Sequence, residues 1–200
     1  MEKAKIMITV ITPVMDRLNK KIEGLMLRRD SYLNSVLNFE IDLLEEEITS
    51  SNSEQARDYL LSQLKTMPTK SISITLDKKL IEHIDTICKK INVARDCWIN
   101  RVLFFLAAEG SQLKVIGIDA PPHESLSTNP LDAASELIFN PFHDCRIWMD
   151  AQYGKKFYEW ELPKQLVGME CYIDDQDVPN SPEYVDLLEA LGAAPIAGGA

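Results

Sequence analysis

Residues 70–106 read KSISITLDKKLIEHIDTICKKINVARDCWINRVLFFL, and the period of their apolar side chains changes partway along. At first it is two: Ile72, Ile74 and Leu76 face one way, and Ser71, Ser73 and Thr75 face the other, the mark of a half-buried strand. From Leu80 it becomes helical, through Leu80, Ile81, Ile84 and Cys88. After a break near Asn92, a second helical stripe runs through Ile99, Val102, Leu103 and Leu106. One strand and two helices do not close a core alone, because an unpartnered strand leaves its backbone groups unpaired. The segment calls for a second copy of itself.

A match lies upstream. Sliding the sequence by sixty-six positions places residues 5–40 on residues 71–106 without a gap, and nine of the thirty-six pairs are identical. Average residue usage gives roughly two or three. The identities are Ile6/Ile72, Ile8/Ile74, Thr9/Thr75, Arg29/Arg95, Asp30/Asp96, Asn34/Asn100, Val36/Val102, Leu37/Leu103 and Phe39/Phe105. Most differing apolar positions stay apolar, as at Val10/Leu76, Leu18/Ile84 and Tyr32/Trp98. Shared periodicity and identity over this length predict a tandem duplication.

Each copy reads strand, helix, short turn, helix. Each second helix opens on Arg-Asp-x-aromatic-(Leu/Ile)-Asn-x-Val-Leu, at residues 29–37 and 95–103. Residues 3–47 and 70–109, about half the chain, resemble in this the MetJ/Arc ribbon-helix-helix superfamily. The resemblance implies a mainly α fold in which two strands pair into an antiparallel ribbon that enters the major groove of double-stranded DNA. It implies base contacts from the outward strand side chains, Lys5, Met7 and Thr9 of one copy and Ser71, Ser73 and Thr75 of the other. Hydroxyls can donate to or accept from base edges there, and a methionine can touch a thymine methyl. Phosphates are expected at the starts of the second helices, where free N–H groups and the helix dipole attract anions, with Arg28, Arg29 and Arg95 beside them.

The chain departs from the family pattern in two places. Its strands carry Ser and Thr where the family favours Arg, Lys, Asn or Gln. Before the second helix, where the family commonly has Gly, stand Met26 and Asn92. Asn tolerates the left-handed conformation better than Met, so the first copy is expected to bind DNA less well. Asp30 and Asp96 are expected to cap or support the helices, and Asn34 and Asn100 to bond across the two copies. Whether the copies pair within one chain, or each with its twin in a second chain, stays open from sequence.

The formal net charge of −10 argues against a nucleic-acid partner until its distribution is read. Residues 1–30 carry seven basic side chains against four acidic, and residues 66–101 again seven against four. Acid gathers at residues 40–58 and in residues 111–200, where fifteen acidic side chains face five basic ones. A content of 46% hydrophobic residues in 200 suffices for a sizeable core. No run of eighteen apolar residues suggests a membrane span, and residues 1–13 read as a strand rather than a secretory signal. The four cysteines lack regular spacing and are expected as buried free thiols in a reducing bacterial or phage-infected cytoplasm.

The expected organisation is a first ribbon-helix-helix copy over 1–48, a linker over 49–69, a second copy over 70–110, a small acidic α+β unit over 111–192 and a disordered tail over 193–200. Thr12-Pro13 should open the first helix, with Thr12 as cap. The second helix should start near Asp30 and end on Glu45–Glu47, an acidic end that opposes the dipole and so frays or bonds elsewhere. Ser51 and Glu54 have the spacing of a capping box, ahead of a short linker helix ended by Pro68. Within 111–192 the expectation is a loop over 120–130, helices over 131–139, 141–153 and 182–191, and strands over 157–162 and 166–173.

Catalytic signatures are weak. His143-Asp144-Cys145 sets three reactive types side by side, but adjacency in sequence does not aim a base at a nucleophile. His123, His143, Cys145 and Cys171 lack zinc-ligand spacing, and no phosphate-binding glycine motif occurs. No enzyme, metal or cofactor is therefore expected. The expected function is a sequence-specific transcriptional regulator, most simply a repressor. The acidic C-terminal part could bind a protein partner as an antitoxin does, mediate self-association, or shield the basic half. The rival reading is a protein-interaction module of the same fold that does not bind DNA.

Overall fold

A computed structural model describes residues 2–119 and 141–182; the helices expected over 131–139 and 182–191, the loop over 120–130 and the tail over 193–200 lie wholly or almost wholly outside these. The described chain is mainly helical with one two-stranded antiparallel sheet. Its elements are β1 (Lys3–Ile11), α1 (Thr12–Gly24), α2 (Arg29–Glu47), α3 (Glu54–Thr66), β2 (Thr69–Asp77), α4 (Lys78–Lys90), α5 (Arg95–Ala107), α6 (Gly110–Val115) and α7 (His143–Tyr153). Two short 3-10 helices follow at Lys164–Met169 and Asp175–Asp177.

Strand β1 pairs antiparallel with β2 of the same chain, in a register that sets Lys5 opposite Thr75, Met7 opposite Ser73 and Thr9 opposite Ser71. Two bonds extend the pairing past its ends, from the Thr12 amide to the Pro68 carbonyl (2.8 Å) and from the Lys78 amide to the Glu2 carbonyl (2.9 Å). Ile8, Val10, Ile74 and Leu76 turn into the core, where Met15, Leu18 and Ile22 of α1 and Leu80, Ile84 and Cys88 of α4 meet them. Helices α2 and α5 contribute the broadest buried faces, including Leu33, Val36 and Leu37, and Trp98, Ile99, Val102 and Leu103. Alternation in the strands and helical spacing after them thus converge on one apolar cluster.

Helices α1 and α4 stop in the same way. The Leu27 amide reaches back to the Ile22 carbonyl (3.1 Å) and the Val93 amide to the Cys88 carbonyl (2.8 Å), the long bond of a Schellman turn. That turn needs a left-handed residue, supplied by Met26 (φ 54°) and Asn92 (φ 50°). Thr12 is the first residue of α1 rather than its cap, and Pro13 sits in the first turn. Ser53 caps α3 by accepting from the Ala56 amide, while Ser51, the expected cap, hydroxyl-bonds the Lys90 carbonyl instead.

The strands expected over 157–162 and 166–173 do not form. Residues 157–159 are turn and 164–169 are 3-10 helix, so the described residues beyond α6 are helix, turn and coil rather than α+β. A strand requires a neighbouring strand, and here the backbone groups find side chains. Arg101, wholly buried on α5, donates to the Phe157 carbonyl (2.5 Å), the Trp160 carbonyl (2.7 Å) and the Glu170 carboxylate (2.7 Å). The same Glu170 accepts from the Leu162 amide. A second buried network joins α7 to α2: Arg146 donates to Glu40 (2.6 Å) and Glu47 (3.0 Å), and Tyr158 gives its hydroxyl to Glu40 (2.6 Å) and its amide to Glu47 (2.8 Å). The acidic end of α2 is therefore bonded, not frayed. Phe142, Phe157 and Tyr158 pack into the same apolar cluster as the strands.

Candidate nucleic-acid interface

The alternation that buries Ile8, Val10, Ile74 and Leu76 turns Lys5, Met7, Thr9, Ser71, Ser73 and Thr75 to the opposite face of the ribbon. Lys5, Met7, Ser71 and Ser73 are exposed, Met7 by 60%, and Thr9 and Thr75 are half-buried. All six expected base-contacting positions share one uncovered face, in the order Lys5–Thr75, Met7–Ser73, Thr9–Ser71 along it.

A two-stranded ribbon has two open edges, and each unpaired donor there invites pairing with another chain. Here the C-terminal half of each edge is closed by the start of α5 or α2, in matching bonds. Along β1, the Thr9 amide donates to Asp96 (3.0 Å), the Ile11 amide to Asn100 Oδ1 (2.8 Å), and Arg95 donates to the Met7 carbonyl (3.3 Å). Along β2, the Thr75 amide donates to Asp30 (2.9 Å), the Asp77 amide to Asn34 Oδ1 (2.8 Å), and Arg29 donates to the Ser73 carbonyl (3.2 Å). Every bond of one set lies sixty-six positions from its counterpart in the other.

Neither aspartate caps its helix, contrary to one expectation, since no side-chain cap bond exists at either helix start. Their carboxylates reach across to the strand instead. Burial pushes the Asp30 carboxyl up, yet the bonds from Arg29 and the Thr75 amide outweigh it and hold Asp30 below the usual carboxylate range. Asn34 and Asn100 do bond across the ribbon.

The three arginines expected at phosphates are placed differently from one another. Arg28 is exposed at the start of α2. Arg29 is held by Asp30 (2.7 Å) as well as by the Ser73 carbonyl, and Arg95 by Asp85 (3.2 Å) and the Met7 carbonyl. Both partly exposed guanidiniums thus flank the ribbon while serving its edges. Sequence reading missed that edge role, although it was signalled: the charged and amide identities of the thirty-six-residue match, Arg29/Arg95, Asp30/Asp96 and Asn34/Asn100, are the residues that make these bonds.

Among the described residues no group of three or more His, Cys, Asp and Glu could hold a metal ion. Burial pushes the Cys145 thiol up to about 11 and the Cys88 and Cys97 thiols up to about 12, which keeps them protonated and poor nucleophiles. No described helix is long and apolar enough to cross a membrane. Comparison with protein-family models, with curated proteins and with solved structures finds no match for this chain.

Proposed function

We propose that this chain is a DNA-binding transcriptional regulator of the ribbon-helix-helix kind, with both copies of the motif in one polypeptide. The single observation that carries the reading is the exposed ribbon face, whose six outward side chains are chemically able to meet base edges. A major groove about 12 Å wide admits a two-stranded ribbon. The matching edge bonds support the tandem arrangement, because each strand is held by the second helix of the opposite motif. One chain then does what a homodimer otherwise does. Regulation would follow from occupying an operator and excluding other machinery, in a reducing cytoplasm that suits four buried free thiols. No catalytic step and no cofactor enter.

A second reading, a protein-interaction module without DNA binding, is favoured by the serine-rich face and by guanidiniums already bonded within the chain. Salt separates the two. Titration of genomic fragments in a mobility-shift assay should show affinity falling steeply between 50 and 200 mM salt, as phosphate contacts release counterions. Arg28→Ala should weaken all duplexes alike and lower the salt slope by about one. A flat salt response, or no shift at micromolar protein, rejects the DNA reading.

A further inference from the structure

The two ends of the ribbon face are not equivalent. Half a turn about the central Met7–Ser73 pair would exchange position 5 with 71, 7 with 73 and 9 with 75. Only Thr9 and Thr75 survive that exchange unchanged; Lys5 meets Ser71, and Met7 meets Ser73. The flanks repeat the inequality in the same sense. Arg29 and Asp30 bond to Ser73 and Thr75, so the start of α2 stands at the end that carries Lys5. Exposed Arg28 is there too, beside the uncovered turn at Met26.

Arg95 and Asp96 bond to Met7 and Thr9, so the start of α5 stands at the Ser71 end. In place of Arg28 that flank has Ala94, 2% exposed. Its turn is covered by the chain ahead of α3: Asn92 Nδ2 donates to the Asn52 carbonyl (2.9 Å), and the Asn52 amide donates to the Ile91 carbonyl (3.2 Å). Asn52 is fixed in turn from behind, where its Nδ2 donates to the Cys171 carbonyl (2.7 Å).

From this polarity we infer that one chain grips a duplex in a single orientation and reads a non-palindromic site, with Lys5 and Met7 as the residues that set the direction. The inference rests on the DNA reading above and adds the form of the target. The lysine ammonium donates to guanine O6 or N7, and the methionine methyl lies against a thymine methyl. Ser71 and Ser73 can donate or accept and tolerate several bases. Sequence information is then concentrated between the centre of the site, at Met7, and its Lys5 end, with the Arg28 phosphate contact at that end.

The experiment is selection of duplexes from a random pool by the full chain, repeated with Lys5→Ser/Met7→Ser and with Ser71→Lys/Ser73→Met. Both double variants make the two strand faces alike at exposed positions, so one serves if the other folds poorly. Wild-type protein should enrich a motif without twofold symmetry, and each variant a motif with it. The first variant should bind the wild-type motif at least tenfold more weakly. A palindromic wild-type motif, or variants that enrich the unaltered wild-type motif, overturns the inference while leaving DNA binding intact. Enrichment of nothing by the wild type rejects the DNA reading, and this inference with it.

Discussion

Met26 holds a left-handed backbone conformation with its side chain 94% exposed, so nothing in its surroundings compensates the crowding of its Cβ against its own backbone. That conformation costs an L-residue about 1–2 kcal/mol, and glycine escapes it. Met26→Gly should therefore stabilise the fold, by about 0.5–1 kcal/mol once the greater freedom of glycine in the unfolded chain is subtracted. Asn92 shares the conformation but also donates to the Asn52 carbonyl, so Asn92→Gly should gain nothing. Urea titrations of the two variants settle the comparison; a Met26→Gly midpoint at or below wild type would refute the account. Of the two, only the asparagine has a sequence that announces its backbone, because Asn is enriched in left-handed turns and Met is not. Met26 becomes readable through its alignment with Asn92, not through its own chemistry.

At the level of elements, two asparagines of unequal standing tie the second helices to the edges of the ribbon. Asn100 is wholly buried, accepting from the Ile11 amide and donating to the Thr9 carbonyl (2.7 Å) and the Asp96 carbonyl (2.7 Å). Asn34 is half-buried; it accepts from the Asp77 amide and donates to the Asp77 carboxylate (2.9 Å). A buried donor left unpaired costs about 1–3 kcal/mol, and one that water can reach costs less. Asn100→Ala should thus lower the urea midpoint clearly more than Asn34→Ala, with unchanged slopes. Equal losses would mean that the two edges are equally wet. These elements were legible because strand, helix and turn each leave a period, and because polar identities such as Asn34/Asn100 recur where a helix interior disfavours them. Residues 157–173 were not. Their aromatic spacing imitates a strand, but what fixes them is Arg101, fifty-six or more residues away, and no local period encodes a distant guanidinium.

Over the whole molecule, buried charge joins the C-terminal part to the ribbon half beside the apolar cluster that the two share. Glu40 on α2 lies between Arg146 and Tyr158, and Glu170 lies against Arg101. Burial outweighs the arginines, so both carboxyls titrate above their ordinary value of 4.5. The sign follows from linkage. A carboxyl with a raised folded-state pKa binds its proton more tightly folded than unfolded, so its contribution is fully present below about 4.5 and fades as pH rises through the folded value. Asp30, held low, acts oppositely, but only in stronger acid. The melting temperature should therefore fall as pH rises from about 4.5 through the folded-state values. Relief of repulsion among surface carboxylates in a chain of net charge −10 pushes the same way, so the total slope alone does not identify the buried pair. Glu40→Gln keeps the shape of the side chain without its titration, and removes one charge in two hundred residues. If Glu40 carries a share, that variant flattens the slope while an exposed control, Glu46→Gln, leaves it unchanged. Parallel slopes for the two variants would assign the pH dependence to the surface, and a melting temperature that climbs as pH rises from about 4.5 would reverse the sign argued for Glu40 and Glu170.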